Sequence, residues 1–212
     1  MRAWGLTIIV LVLACPARAA DAPAPTPTRF TPQDLARLVD LTEPAFSPDG
    51  HAIVYTATSA NRADDKSQSD LWRVDFDGSH RVRLTNTPKF DESRPQWSPD
   101  GKSIAFLSDR GGEEADTQVW LMPANGGEAR RLTKFGESIS DFAWSPDGKR
   151  IAFIGRDPER PFGAKKPKQP SPIVTERYQF REDGTGYLDS RRNHVYVLDI
   201  ATGKTDLLTP GA

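Results

Sequence analysis

The chain has 212 residues, 37% hydrophobic and 27% charged, with a formal net charge of −1. That composition excludes a disordered or collagen-like chain, and the near-neutral charge gives no electrostatic reason to expect nucleic acid or an anionic membrane as partner. Eighteen prolines and sixteen glycines predict many turns, which fits short strands better than a helical bundle.

Arg2 opens the chain with a positive charge, and Gly5 to Ala14 is an apolar run of ten residues. A helix needs about 20 apolar residues to span a bilayer. Ala17-Arg18-Ala19 places small residues around a cleavage point, so residues 1–19 read as a secretory signal peptide. Cleavage after Ala19 lowers the basic count from 28 to 26 against 29 acidic residues, for a mature net charge of −3. The expected location is secreted or periplasmic. Cys15, the single cysteine, lies inside the signal, so the mature chain has no disulfide or thiol chemistry. The lesser alternative is a lipobox at Val12–Cys15 that anchors Cys15 as a lipoprotein. Residues 20–29 read as an Ala/Pro-rich linker. Residues 30–41 predict a short packing helix, with Thr31 as cap, Pro32 in the first turn and Leu35, Leu38, Val39 and Leu41 near one face.

From residue 42 the sequence repeats. An aromatic residue, Ser-Pro-Asp-Gly and an alternating apolar strand recur at 44–58, 95–109 and 142–156, with Gly50, Gly101 and Gly148 at spacings of 51 and 47. A second unit is interleaved at 70–85, 118–133 and 194–209. Its aromatics Trp72, Trp120 and Tyr196 and its threonines Thr85, Thr133 and Thr209 share the offsets 48 and 76. In the tetrapeptide, Pro suits the second turn position and Gly takes a positive φ at the end. Val119–Met122 predicts a third strand. Asn125-Gly126-Gly127 marks the next turn, and Ala129–Thr133 a fourth strand. The expected fold is therefore all-β: propeller blades of four antiparallel strands, about three of them, at 42–92, 93–139 and 140–212. The third period is 28 residues longer, an insertion at 157–193 that predicts an extra hairpin through Ile173, Tyr178, Phe180, Asp183-Gly184 and Tyr187-Leu188. The cluster Lys165, Lys166 and Lys168 reads as a solvated loop, without the aromatic interleaving that nucleic acid requires.

These repeats resemble the PD40 class of TolB-like proteins and of the propeller in prolyl oligopeptidase family serine peptidases. Pro172–Leu188, Arg191-Arg192 and His194-Val195-Tyr196 are similar to peptidases close to acylaminoacyl and dipeptidyl peptidases, as is Phe30–Leu35 before the first tetrapeptide. The resemblance spans about residues 30–212. It implies the substrate-gating part of a secreted serine peptidase acting on peptides, followed in the family by an α/β-hydrolase domain with a Ser-Asp-His triad. The alternative is a non-catalytic TolB-like propeller that binds a protein or glycan.

No nucleophile elbow is found. Gly136-Glu137-Ser138-Ile139-Ser140 comes nearest but ends in Ser where Gly is needed. His51, His80 and His194 all fall within repeat units. No catalytic, cofactor-binding or metal site is therefore expected in this chain, and no cofactor. Asp64-Asp65 and Glu113-Glu114 could hold Ca²⁺ but read as solvated loops. Arg177 and Tyr178 either face a substrate cavity or pack across the extra hairpin. Three blades leave faces and edges open. The reading is thus an N-terminal part of a longer protein, with self-association through open blade edges as the other outcome.

Overall fold

A computed structural model describes residues 31–35, 37–61, 65–111, 116–157, 181–182, 186–187 and 191–210. The signal, linker and Cys15 assignments lie outside these residues, as do Asp64, Glu113, Glu114, Lys165, Lys166, Lys168, Arg177 and Tyr178.

Among the described residues of the unit Pro32–Ala212, the strands form three four-stranded antiparallel sheets and one two-stranded ribbon. The first holds β1 (Val39–Phe46), β2 (Ala52–Asn61), β3 (Lys66–Asp75) and β4 (Val82–Arg83). The second holds β5 (Glu92–Trp97), β6 (Ser103–Ser108), β7 (Gln118–Pro123) and β8 (Arg130–Arg131). The third holds β9 (Ile139–Trp144), β10 (Arg150–Arg156), β13 (Asn193–Asp199) and β14 (Thr205–Leu207). Between β10 and β13 a separate two-stranded ribbon pairs β11 (Arg181–Glu182) with β12 (Gly186–Tyr187). This is the described part of the expected extra hairpin; Asp183-Gly184 lies outside the described residues.

One expectation is overturned. The helix α1 covers only Pro32–Leu35, and residues 39–41 open β1 instead. Val39, Asp40 and Leu41 pair with Ser59, Thr58 and Ala57. The long β2 needs a partner along its far end, and those ladder bonds outweigh a one-turn helix that is marginal in water. The leucines expected to pack are exposed: Leu35 by 58%, Leu38 by 56% and Leu41 by 65%. The fourth strands are also shorter than expected. In the second sheet the ladder ends at Arg131, because the Thr133 hydroxyl then accepts the Val119 N–H at 3.0 Å in place of a backbone carbonyl.

The Ser-Pro-Asp-Gly turns show why the motif repeats. Ser47, Ser98 and Ser145 each donate their hydroxyl to the Asp two residues on, at 2.5, 2.6 and 2.5 Å. The same hydroxyls accept the N–H of Ala52, Ser103 and Arg150, which open the second strands. Each Asp in turn accepts the N–H of the residue after the glycine. The glycines sit at φ of 74°, 69° and 67°, where a Cβ is strained. Successive turns also stack. A Cβ at Gly101 would touch the Pro48 ring, and one at Gly148 the Pro99 ring.

The sheets pack face to face through two cores. Val54 and Leu71 of the first sheet meet Ile104, Phe106 and Met122 of the second. Ala105, Leu107 and Val119, on the other face of the second sheet, meet Ile151, Phe153, Tyr196 and Leu198 of the third, together with Phe135, Ile139 and Phe142. Alternation along β6 thus serves both neighbours, even-numbered residues one way and odd-numbered the other. Gly155 lies against Phe135: a Cβ there would stand 2.4 Å from the ring. Phe135 in turn meets Phe153 edge-on and Tyr196 at a tilt, at ring separations of 5.2 and 4.7 Å.

Candidate functional site

The first strands of the three sheets lie side by side, β1 against β5 and β5 against β9. They form one wall, and each breaks its register at the same place. The irregularities fall between Thr42 and Ala45, between Ser93 and Gln96, and opposite Ile154 and Gly155 in β9. Bulges of this kind re-aim side chains. Glu43 and Arg94 occupy them at φ of 55° and 52°, an uncommon backbone for residues other than glycine. Asp141 is the equivalent residue of the third sheet.

These three residues form a belt across the wall. The Arg94 N–H donates to Glu43 Oε2 at 2.6 Å, and Arg94 Nη1 donates to Asp141 Oδ1 at 3.1 Å. Thr56 supports Glu43 from behind through a 3.0 Å hydroxyl bond. The side chains of Glu43, Arg94 and Asp141 are 35%, 45% and 47% exposed, so the belt is open to solvent and to a ligand. Beside it, Trp97 Nε1 donates to the Ala45 carbonyl and Gln96 to that of Phe142, tying the second sheet to both neighbours.

At the turn end, two clefts open between sheets. One of about 450 Å³ is lined by Asp100, Leu121, Trp144, Asp147 and Ile200. The other, of about 430 Å³, is lined by Asp49, His51, Arg73, Trp97 and Lys102. Hydrogen bonds from Ser47, Ser98 and Ser145, then from the following backbone N–H groups, hold Asp49, Asp100 and Asp147 below the usual carboxylate range. These acids are committed to their turns.

At the opposite end the β2–β3, β6–β7 and β10–β13 connections depart. Glu92, fully buried, accepts Arg110 Nη2 at 2.7 Å and Thr87 Oγ1 at 2.6 Å there. Arg191, near the end of the insertion, pairs at 3.0 Å with Glu137 of the segment joining the second and third sheets.

The residues considered from sequence fall apart in space. His51 lies at the first turn, where its carbonyl accepts the Phe76 N–H. His80 faces Asp75 at 2.8 Å in the β3–β4 turn. His194 is in the third sheet. The near-elbow serves structure: Ser138 Oγ accepts the Thr117 N–H, and Ile139 is buried. Among the described residues, no group of three or more His, Cys, Asp or Glu comes together as a metal site. The belt was missed in the sequence. Its one signal is that Glu43, Arg94 and Asp141 each stand three residues before the motif aromatic, with alternating charge.

The PD40 family, described as the TolB beta propeller domain, matches residues 39–168. The uncharacterized peptidase YuxL of Bacillus subtilis is 31% identical over 183 residues, 84% of this chain and 27% of that protein. Dipeptidyl-peptidase 5 of Porphyromonas gingivalis is 39% identical over 82 residues, 39% of this chain and 12% of its own length. The chain thus spans about a quarter or less of these relatives. Among solved structures, TolB from Acinetobacter baumannii is similar with a TM-score of 0.53 and 26% identity, over 79% of this chain and 32% of that one. Pyrococcus horikoshii acylaminoacyl peptidase shares the fold with a TM-score of 0.62 at 20% identity, over 81% of this chain and 25% of that one.

Proposed function

Because this chain belongs to the PD40 family of TolB-type β-propeller domains, we propose that it is the substrate-gating propeller portion of a secreted or periplasmic serine peptidase. The observation that carries this is the 31% identity to a peptidase along 84% of the chain. On this reading the chemistry belongs to a hydrolase domain outside these 212 residues. The blades restrict which peptides reach it, and the Glu43–Arg94–Asp141 belt offers charges of both signs to a passing peptide. The partners are peptide substrates, with the open faces of the first and third sheets available for association.

The experiment is immunoprecipitation from source cells with antiserum raised against residues 39–156, followed by a fluorophosphonate probe that labels serine nucleophiles. A labelled polypeptide longer than this chain is expected, with a mature N-terminus at Ala20. The purified 212-residue chain should leave chromogenic peptides intact.

A second reading rests on the 26% identity to a TolB structure over 79% of the chain: a non-catalytic propeller that binds a protein or glycan. An unlabelled polypeptide of this chain's own size, recovered with a stable partner, would overturn the peptidase reading and support that one.

A further inference from the structure

One repeat position differs in kind among the three sheets. Two residues before the motif aromatic of the third strand stand Asp70, Gln118 and His194. Asp70 accepts Arg83 Nη2 at 2.5 Å. Gln118 uses both ends of its amide: Nε2 donates to the carbonyls of Phe135 and Glu137, while Oε1 accepts the Thr133 hydroxyl and the Phe135 N–H. The third sheet, which carries the insertion, has an imidazole at that position.

His194 is held between two acceptors. Its Nδ1 hydrogen-bonds the Thr209 carbonyl, and its Nε2 faces Asp157 Oδ1 at 3.4 Å with the side chain only 11% exposed. A neutral imidazole carries one N–H and satisfies one of these acceptors; the imidazolium satisfies both. Asp157 opens the insertion and Arg192 stands next to its last residue, and the two are already joined. The Asp157 N–H donates to the Arg192 carbonyl at 2.8 Å, and the Arg192 N–H donates to Asp157 Oδ2 at 3.2 Å. Thr209 tethers the far side, its hydroxyl accepting the Val195 N–H at 2.9 Å. The other charged and titratable groups around this point are Arg156 at the end of β10, Arg191 with its partner Glu137, and Tyr196. Burial, then Asp157, raises the Tyr196 phenol above its ordinary value, so it stays neutral here.

We propose that His194 is a protonation-dependent clasp that ties the root of the insertion, at Asp157 and Arg192, to the end of the same blade at Thr209. Imidazoles change charge between about pH 5 and 8. With both nitrogens protonated, the carboxylate and the carbonyl are held at once. With one proton lost, either the Asp157 or the Thr209 contact is released, and the two ends of the insertion are held less firmly. This inference does not depend on whether the whole protein is a peptidase.

The test compares amide-exchange protection of Arg192 and Val195 at pH 5.5 and pH 8, corrected for intrinsic exchange, in the 212-residue chain and in His194→Gln. The glutamine copies Gln118 and donates two hydrogens at any pH. Protection in the wild-type chain should fall about tenfold or more from pH 5.5 to pH 8, as loss of one charge-assisted hydrogen bond implies. His194→Gln should hold it constant, and Asp157→Asn should lower it at pH 5.5. His51 and His80 are present in all three chains and cancel in the comparison. Equal pH dependence in the wild-type chain and His194→Gln, or none in either, would overturn the clasp.

Discussion

The strands β6 and β10 are almost the same peptide, Ser-Ile-Ala-Phe-Leu-Ser and Arg-Ile-Ala-Phe-Ile-Gly, yet they meet different surroundings. In β6 both faces are covered: Ile104 and Phe106 by the first sheet, Ala105 and Leu107 by the third. In β10, Ile151 and Phe153 are buried against the second sheet, while Ile154 on the other face is 37% exposed. The first sheet shows the reverse imbalance. Val54 and Leu71 are covered, but Phe46 and Phe76, in ring contact at 6.1 Å, are 59% and 67% exposed. The repeat therefore carries two contact faces in every copy. One is rich in aromatic and large residues and the other in small aliphatics. Among the described residues, only the middle copy has both in use.

The sharpest way to break this comparison is to truncate one repeat position in two copies. Phe106→Ala should cost about 3–5 kcal/mol, because it opens a cavity between two packed sheets. Tyr55→Ala, at the same position on the uncovered face, should cost about 1 kcal/mol from the area it leaves. Urea unfolding midpoints read both, and equal losses would remove the distinction. Gly155→Ala should cost about 1–3 kcal/mol by overpacking, because the added Cβ presses on Phe135, which is buried and packed against the stacked Phe153 and Tyr196 rings.

The threonines sharpen the same contrast. Thr133→Val leaves the buried Val119 N–H without a partner and removes one of the two donors to Gln118 Oε1, and should cost about 1–3 kcal/mol. Thr209→Val acts at an exposed N–H that water can reach, and should cost less than about 1 kcal/mol. Thermal unfolding of the two variants, side by side, tests the difference.

A smaller effect depends on pH. Asp49, Asp100 and Asp147 are held below their ordinary value of 3.8 by Ser hydroxyls and backbone N–H groups. Each therefore stabilises the fold above that value and loses its contribution as pH falls through the lower folded one. Asp100→Asn should flatten the acid limb of the stability profile below about pH 4 and leave its shape at neutral pH unchanged. The smallest expected change in stability, within about 0.5 kcal/mol, comes from Phe46→Ser combined with Phe76→Ser at the surface. That pair should nevertheless reduce concentration-dependent association, measured by sedimentation velocity.

Much of the architecture was legible because each signal was local. The Ser-Pro-Asp-Gly turn closes through hydrogen bonds within six residues, so its chemistry is written in adjacent letters. The spacing of Trp72, Trp120 and Tyr196 marked the third strands for a similar reason. The aromatic recurs wherever a blade presents its larger face. The start of β1 was misread because Leu35, Leu38 and Leu41 have helical spacing, and their fate depended on the far end of β2, some twenty residues away. The belt was hidden for a like cause. Glu43, Arg94 and Asp141 are about fifty residues apart in sequence, and only the alignment of three first strands brings them together.

The sequence by itself determined the number of blades in this chain, the turn that opens each one, and the two-faced alternation of each second strand. These follow from backbone sterics and side-chain period within one copy. Which face is buried, which threonine is shielded from water, and which charges meet across the wall were decided only by the packing of one sheet on the next. Burial and pairing between distant residues belong to neighbours in space, and a strand's own letters do not specify who those neighbours are.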